Sequence, residues 1–282
     1  MNAIEIRDLC KKYDGFYLDH VNLTLPAGCI MGLVGENGAG QSTIIKLILN
    51  MVKRDAGTVA LFGKDNRESL NLTKEDIGVV LDEAGISECL NARQVGKIMK
   101  GIFKNWDDDV YYGYLRTLAI PEEKRFKDFS RGMKMKLGIA VALSHHAKLL
   151  ILDEATSGLD PVVRDEVTDI FAEFTRDETH SVLLSSHIVS DLEKICDYIA
   201  FLHQGKLLLC EEKDILKDTY GMVHCSGSQL SELAMDAVVG KRESAYGVEA
   251  MVIRNRIPAG WEVSPVDIEQ LFVFMVKGGR AA

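Results

Sequence analysis

The sequence predicts an α/β fold: a mixed sheet with helices on both faces, a β-ribbon subdomain, a helical subdomain and a small C-terminal α+β appendage. One observation is the apolar run Ile30–Val34, which is followed by a glycine-rich loop and then by apolar residues at helical spacing. Another is a second apolar run, 149–152, which ends in two acids. Short apolar runs are typical of strands buried in a parallel sheet. A chain of 282 residues can hold one large α/β domain and a smaller part.

The glycine-rich loop predicts a phosphate site. It fits the pattern G-x-x-x-x-G-K-[ST] at every defined position but one, since glutamine stands in place of lysine. The glycines let the backbone approach a ligand, and the main-chain amides with the helix start form an anion site. Ser42 can offer its hydroxyl to Mg²⁺, and Thr43 can hydrogen-bond a phosphate oxygen. The alternative is an ordinary glycine turn before a core helix. The predicted binding residues are Gly35, Glu36, Asn37, Gly38, Ala39, Gly40, Gln41, Ser42 and Thr43.

Gln41 changes what the loop is expected to do. A lysine would place a cation between the β- and γ-phosphates, whereas glutamine donates hydrogen bonds without charge. Binding should weaken yet survive on the backbone amides, and hydrolysis should suffer more because charge builds on the transferring phosphoryl group. Either the chain is a deliberately disabled variant, or it has a natural loop of reduced activity. The other motifs look intact, which favours the first explanation.

Two acids follow the second apolar run. Asp153 can hold Mg²⁺ through water at the carboxyl end of a strand, and Glu154 can polarise an attacking water. Acid pairs after a strand are also common in plain turns. The residues that follow favour the functional interpretation, since they read Ala-Thr-Ser-Gly-Leu-Asp-Pro. Asp160 with Pro161 is also a good helix start.

These ordered motifs resemble those of the ATP-binding subunit of an ABC transporter. The phosphate loop, the strand with its two acids and the Ser-Gly-Leu-Asp loop at 157–160 match that family. Residues 129–133, Phe-Ser-Arg-Gly-Met, resemble its signature Leu-Ser-Gly-Gly-Gln and keep only Ser130 and Gly132. Ser130 can also simply cap the next helix. The likeness covers residues 3–220 and implies a P-loop NTPase core with ATP and Mg²⁺ as cofactors.

The resemblance extends to single residues. His187, in Leu-Ser-Ser-His, resembles the switch histidine that contacts the γ-phosphate, although a histidine at a strand end is often structural. Tyr13 resembles the aromatic residue that stacks on adenine, although a tyrosine in a β-ribbon often only packs. Asp82 stands where the family usually has glutamine, and it could still reach the metal through water. The implied catalytic residues are Glu154, His187 and Gln41, and the implied metal ligands are Ser42, Asp153 and Asp82.

Composition narrows the function classes. The formal net charge of −9 argues against a nucleic-acid surface, which needs a basic stripe. No two of the six cysteines are spaced as Cys-x-x-Cys, so a zinc site is not expected. We expect reduced cysteines in a cytosolic setting instead. No apolar run approaches 18 residues, so a transport function would need a membrane partner. We expect a peripheral protein on the cytoplasmic face of the membrane.

The chain divides into segments of different character. We predict an ATP-binding domain over 1–220, with a helical subdomain over about 86–145, and a small accessory domain over 221–282. Asn91 with Gln94 resembles a capping box. The segment 85–90 is a candidate contact with the membrane subunit, or only a surface loop. In the appendage we predict strands over 222–226 and 248–254, a helix over 228–239, and a last helix that Pro265 opens.

The resemblance implies how the subunit works. In this family two ATPase subunits face each other head to tail, and each nucleotide lies between the phosphate loop of one and the signature of the other. We therefore expect a second ATP-binding subunit, identical or related, and an integral-membrane permease as partners. Export of a peptide or antibiotic is favoured, because the signature Ser-Arg-Gly-Met is similar to the Ser-Lys-Gly-Met of exporter subunits. The alternatives are a soluble ABC ATPase of translation or DNA maintenance, and a binding-only regulatory subunit.

Overall fold

A computed structural model describes residues 1–68, 74–81, 85–244 and 247–277 of the chain. Its strands form three separate sheets. They are β1 (Asn2–Tyr13), β2 (Phe16–Pro26), β3 (Ile30–Gly35), β4 (Ala56–Leu61), β5 (Lys64–Asp65), β6 (Ile77–Val80), β7 (Leu149–Asp153), β8 (Ser181–Ser186), β9 (Tyr198–His203), β10 (Lys206–Glu212), β11 (Tyr220–Cys225), β12 (Val238–Ser244) and β13 (Gly247–Ile253).

The helices mostly follow the strands that they connect. Within the described residues, no helix has the length and apolar character needed to cross a bilayer. The α-helices are α1 (Gln41–Ile48), α2 (Ala92–Ile102), α3 (Asp108–Thr117), α4 (Arg131–Leu143), α5 (Pro161–Phe174), α6 (Val189–Ile195), α7 (Lys213–Thr219), α8 (Gly227–Leu230) and α9 (Ile268–Lys277).

The central sheet has six strands in the order β10-β9-β3-β8-β7-β6. All neighbours are parallel except β10, which returns antiparallel to β9 through a turn at Gln204 and Gly205. Both turn residues have positive φ, 47° and 79°, as a two-residue hairpin turn requires. Every residue of β3, β7 and β8 is buried, which explains the continuous apolar runs in β3 and in the first four residues of β7. The predicted mixed sheet is confirmed.

The β-ribbon and helical parts also form as predicted. A four-stranded antiparallel sheet, β2-β1-β4-β5, contains the ribbon of β1 and β2. In the helical part, α2 begins at the predicted capping box, where the Asn91 side chain accepts from the Gln94 N–H and the Gln94 side chain accepts from the Asn91 N–H. On α3, Tyr111 and Leu115 are buried and form the apolar face of the helix. Helix starts coded by local side chains are therefore readable from sequence.

The C-terminal segment differs from the prediction. The helix expected over 228–239 is wrong: α8 covers only Gly227–Leu230, and the chain then enters the strand β12. Leu230, Leu233 and Ala237 have helical spacing, yet Leu233 and Ala237 are buried outside any α-helix. The last helix begins at Ile268 rather than at Pro265, and Asp267 accepts the N–H of Gln270 at its start.

One side of the C-terminal sheet shares the core of the central sheet. The antiparallel sheet β11-β13-β12 contributes Met222 and Met251 to the same apolar cluster that lies under the central sheet. The helix α9 joins that cluster, and the rings of Phe272 and Phe201 lie 5.1 Å apart between centroids. The strand β9 that carries Phe201 also borders the phosphate loop strand β3. The C-terminal segment is therefore packed directly onto the sheet that positions the candidate site.

Candidate functional site

The strand register brings the predicted site residues to one edge of the central sheet. Val34 of β3 pairs with Ser186 of β8, and Ser185 of β8 pairs with Asp153 of β7. The carboxyl ends of these parallel strands therefore lie at the same edge of the sheet. Because β8 lies between β3 and β7, the two strands are about 10 Å apart in total. Such an edge is where open α/β sheets bind ligands. His187 follows Ser186 directly and lies at the same edge.

The phosphate loop connects β3 to α1 without a side-chain cap on the helix. Gly40 occupies the N-cap position with φ 117°, and no side chain hydrogen-bonds the first turn of α1. A Cβ at Gly40 would stand 2.8 Å from the Phe16 ring, so both the conformation and the space require glycine. The uncapped N–H groups at the start of α1 give this end of the helix its capacity for anions.

The side chains of the loop divide into exposed and buried groups. Glu36, Asn37, Gly38 and Ser42 are exposed, whereas Ala39 and Gly40 are buried and Thr43 is half-buried. The Glu36 carboxylate forms an ion pair with His203 Nδ1 at the end of β9. The turn after β9 also supports the loop, since the Gly205 N–H donates to the Ala39 carbonyl at 2.9 Å. The loop is therefore fixed from two sides while its tip remains accessible.

Gln41 points into the loop rather than into solvent. Its side chain amide nitrogen donates a 2.8 Å hydrogen bond to the Gly35 carbonyl, and the residue is only 8% exposed. A Cβ at Gly35 would lie 2.8 Å from that same nitrogen, so glycine at 35 makes room for the glutamine. The loop is thus closed by a neutral hydrogen bond where the common pattern has an ammonium group.

An open cleft of about 390 Å³ lies against the loop. It is lined by Tyr13 and Phe16 together with loop residues from Gly38 to Thr43. Tyr13 is 40% exposed, and the Lys11 ammonium lies 5.3 Å from the centre of its ring. An exposed aromatic face beside a phosphate loop can stack on a base. Phe16 was missed by sequence reasoning, although its place directly after the ribbon turn and next to Tyr13 was a usable signal.

Asp153 is held at the end of β7 by a residue that sequence reasoning also missed. Ser185 Oγ donates to Asp153 Oδ1 at 2.6 Å and accepts the Glu154 N–H at 3.0 Å. Ser185 is fully buried beside Ser186 at the end of β8, and nothing in the sequence distinguishes the two serines. A buried hydroxyl with two such partners fixes the direction of the carboxylate beside it.

Glu154 and His187 form a pair at the sheet edge. His187 Nδ1 and Glu154 Oε2 are 2.7 Å apart, and both side chains are accessible to solvent. Glu154 has φ 53°, a left-handed conformation that is uncommon for a residue other than glycine and that turns its side chain away from the strand direction. A carboxylate oriented by an imidazole can take part in proton transfer. The structure therefore brings together two of the predicted catalytic residues.

Ser130 and Gly132 lie on a different element, at the start of α4. Ser130 Oγ accepts the Met133 N–H at 3.2 Å, so the predicted cap is formed. The neighbouring Arg131 lies against Gly158. A Cβ placed at Gly158 would be only 2.8 Å from the guanidinium of Arg131. A Cβ at Gly132 would lie 3.7 Å from Leu159. The segment 130–132 thus packs on the loop 157–160, and the hydrogen bond of the Ser130 hydroxyl stays within its own helix.

The oxygen donors fit a hard cation. The Ser42 hydroxyl and the Asp153 carboxylate are the ligand types that Mg²⁺ takes together with phosphate oxygens. Within the described residues, no group of three or more His, Cys, Asp or Glu side chains could hold a metal by itself. Asp82, the third predicted ligand, lies outside the described residues.

A glycine-rich loop between a buried parallel strand and an uncapped helix, beside a strand that ends in acids, defines a P-loop nucleotide-binding fold. Residues 18–157 match the family described as ABC transporter. The bacitracin transport ATP-binding protein BcrA of Enterococcus faecalis is 34% identical over 213 residues, 73% of this chain and 68% of BcrA. The lantibiotic transport ATP-binding protein SrtF of Streptococcus pyogenes is 34% identical over 75% of this chain and 91% of SrtF. The chain belongs to the ATP-binding subunits of ABC transporters.

Solved structures share the fold. One solved structure, described as the ATP-binding subunit of an ABC transporter, superposes on this chain with a TM-score of 0.70 at 24% identity. The match covers 76% of this chain and 92% of that chain. The ATP-binding cassette MJ0796, a dimer in a post-hydrolysis state bound to ADP and Pi, gives 0.67 at 18% identity over 74% and 98%. Members of this family hydrolyse ATP, form dimers and work with a membrane permease. The predicted P-loop NTPase core is confirmed.

Proposed function

We propose that this ABC transporter ATP-binding subunit powers the export of a peptide, an antibiotic or a similar substrate, and that Gln41 lets it bind ATP while slowing hydrolysis. The observation that carries the proposal is the loop of residues 35–43, whose tip is exposed and whose helix start has no side-chain cap. BcrA is named as a bacitracin transport protein and SrtF as a lantibiotic transport protein. These names support a related class of substrate for this chain.

The remaining site residues have roles that follow from their places. Glu154, turned out of β7 and paired with His187, is the general base that polarises the attacking water. His187 contacts the γ-phosphate. Ser42 and Asp153 would hold Mg²⁺, with Asp82 as the third proposed ligand. Tyr13 stacks on the adenine ring. Magnesium supplies charge neutralisation on the β- and γ-phosphates when it is bound.

Gln41 separates binding from turnover. A hydrogen bond to a charged group contributes about 1.5–3 kcal/mol, and a neutral donor keeps part of it. In this structure one N–H of the Gln41 amide is taken by the Gly35 carbonyl, so most of the phosphate contacts in this proposal are made by main-chain N–H groups of the loop. The transition state has more charge on the transferring group than the bound nucleotide has. We therefore expect hydrolysis to fall further than affinity.

The partners follow from the family. The chain pairs with a second ATP-binding subunit, so that Ser130 and Gly132 of one subunit meet the nucleotide of the other, and it works with an integral-membrane permease at the cytoplasmic face. The segment 85–90, largely exposed beside α2, is the proposed contact with the permease. Residues 1–220 form the ATP-binding domain, and residues 221–282 form an accessory part.

A binding-only regulatory subunit is the second candidate. Gln41 favours it, because the loop lacks the usual cation. The formed pair of Glu154 and His187 favours an enzyme, since a subunit that never hydrolyses ATP has no need of an oriented general base. The two candidates differ in whether restoring a cation at position 41 restores turnover.

Two measurements test the proposal. Titration with a fluorescent ATP analogue and Mg²⁺ should give saturable binding below millimolar concentration, and a flat trace would overturn the proposal. The Gln41→Lys variant should show steady phosphate release well above that of the unchanged chain. The double variant with Glu154→Gln should bind the analogue and lose that release, which controls for contaminating ATPase. A Gln41→Lys variant that binds ATP and remains inactive would instead support the regulatory subunit.

A further inference from the structure

A buried ion pair joins two helices next to the candidate site. Arg164 on α5 and Asp191 on α6 approach to 3.3 Å between Nη1 and Oδ1. Asp191 is only 4% exposed, although it carries a carboxylate. Buried charges of this kind cost solvation free energy, which their attraction only partly returns. The pair therefore needs a reason beyond stability.

Arg164 also holds the loop 157–160. Its Nη2 donates to the Leu159 carbonyl at 3.2 Å. The next residue, Asp160, accepts the N–H groups of Val162 and Val163 at 3.1 Å and so begins α5, on which Arg164 lies. The loop is thus attached to α5 through its main chain as well as through its cap, and a displacement of Leu159 acts directly on the guanidinium.

Asp191 lies in the first turn of α6, four residues after His187. Its N–H donates to the Ile188 carbonyl at 3.3 Å, so its position is tied to the residue that follows His187. His187 in turn pairs with Glu154. A continuous set of contacts therefore runs from the loop 157–160 through Arg164 and Asp191 to the candidate catalytic pair.

The same loop touches the segment 130–132 on its other side. Arg131 lies against Gly158, and Gly132 lies near Leu159. The contacts of segment 130–132 and the hydrogen bond from Arg164 therefore both fall on Gly158 and Leu159, two consecutive residues of the loop. The loop is placed between the segment proposed to meet the second subunit's nucleotide and the ion pair that leads to His187.

The geometry of the ion pair is incomplete. Within the described residues, Arg164 Nε and Asp191 Oδ2 are buried without a hydrogen-bond partner. A guanidinium and a carboxylate can form two parallel hydrogen bonds, and this pair forms one at 3.3 Å. Buried groups left unpaired cost free energy, so the packing of α5 and α6 holds the pair in a geometry that does not use its full hydrogen-bonding capacity.

We propose that Arg164 and Asp191 are positioning residues that pass the state of the loop 157–160 to His187. This inference rests on the proposed ATPase function and adds a route by which docking of the second subunit affects the γ-phosphate contact. Neither residue touches the reacting atoms. Their effect is on the placement of His187 against Glu154, and hence on turnover rather than on nucleotide affinity.

Steady-state hydrolysis tests this in the Gln41→Lys background. Arg164→Met should lower kcat about tenfold and leave KM for ATP within about twofold, because the loop 35–43 is untouched. Arg164→Lys keeps the charge and should recover part of kcat. Asp191→Asn keeps the shape and should match Arg164→Met. The control is Arg176→Met, the same change at an arginine whose partner Glu173 is on the surface. Unchanged kcat in Arg164→Met and Asp191→Asn would overturn the proposal.

Hydrogen exchange without nucleotide separates this inference from the proposed function. Arg164→Met should speed amide exchange in 157–160 and in 188–192 together, whereas Arg176→Met should change neither. Equal exchange in the two variants would overturn the coupling even when ATP binds normally. A joint increase in a chain that binds no ATP analogue would overturn the proposed function and leave the connection between loop and helix in place.

Discussion

The side-chain amide of Gln41 donates to the main-chain carbonyl of Gly35 across the phosphate loop, at 2.8 Å. The two residues mark the end of β3 and the start of α1, so the bond closes the loop on itself. Both residues are buried, and the carbonyl would otherwise need another donor. Gln41 is therefore part of the loop's own structure, and we expect main-chain N–H groups to meet most of the charge of a bound phosphate.

Replacing Gln41 by methionine tests whether its side chain closes the loop while main-chain N–H groups bind the phosphates. Methionine fills similar space and leaves the Gly35 carbonyl unpaired, so the free energy of unfolding should fall by about 1–2 kcal/mol. Affinity for the fluorescent ATP analogue should change by no more than about threefold, because the main-chain N–H groups remain. Urea denaturation and nucleotide titration measure the two effects separately.

A glutamate at the same place provides the matched contrast. Gln41→Glu keeps the length of the side chain and brings a negative charge to the loop, which should weaken nucleotide binding by at least about tenfold. If the glutamate variant binds the analogue as well as the methionine variant does, the phosphates do not lie in this loop.

Ser185 should control the metal dependence of nucleotide binding. Ser185→Ala removes the 2.6 Å hydrogen bond to Asp153 and one of the two acceptors of the Glu154 N–H, which keeps the Ser185 carbonyl at 3.2 Å. We expect a loss of about 1–3 kcal/mol in stability and a several-fold higher Mg²⁺ concentration for half-maximal binding of the analogue, because the carboxylate is no longer oriented. A magnesium titration at fixed nucleotide measures the shift.

Ser186→Ala is the control for that experiment. Ser186 is the next residue of β8, is equally buried, and accepts the Ile188 N–H at 3.0 Å instead of touching Asp153. It should lose stability without a change in the magnesium dependence. Equal magnesium curves for the two variants would contradict the assignment of Asp153 as a ligand.

His145 should make the helical part sensitive to acid. The imidazole is 1% exposed, stacks on Phe103 at 4.0 Å, and lies 3.2 Å from the Ile77 carbonyl. Burial lowers the pKa of His145 below its ordinary value of 6.5, because the charged form loses solvation. The unfolded chain therefore binds the proton first. The free energy of unfolding should fall as the pH drops below about 6.5, by at most about 1.4 kcal/mol per pH unit from this group, and should be insensitive to it above.

His145→Gln separates this residue from the other groups that titrate in acid. Glutamine stays neutral, so the variant should lose less stability than the unchanged chain between pH 6.5 and 5 in urea denaturation, whatever its stability at pH 8. Parallel curves for the two proteins over that range would show that burial of His145 does not govern the acid response.

Much of the site was predictable because it is local in sequence. The phosphate loop, the acids after β7 and the caps at Ser130 and Asp160 are coded by residues within a few positions of each other, and the structure forms each element as expected. Their meeting at one sheet edge follows from parallel strand topology. The roles of these residues in ATP chemistry remain predictions.

The parts that sequence reasoning missed depend on tertiary contacts. Ser185 became visible only through its register opposite Asp153, and Asp191 only through its contact with Arg164. In the C-terminal segment, Leu230, Leu233 and Ala237 imitate a helical stripe, yet Val238 pairs with Val252 and draws the chain into a strand. A short apolar spacing cannot distinguish these outcomes, because Val252, the residue that pairs with Val238, lies 14 residues further along the chain.

Glu154 provides the most direct test of the chemistry. In the Gln41→Lys background, Glu154→Gln preserves the shape and the contact with His187 while removing the negative charge that a general base needs. Phosphate release should fall by about 10²–10⁴-fold, and binding of the fluorescent ATP analogue should stay within about threefold. Glu166→Gln is the matched control, since that carboxylate pairs with Lys136 on the outer side of α5. Phosphate release that survives Glu154→Gln at the level of the Glu166→Gln control would show that another group activates the water, and the 2.7 Å pair would then be structural only.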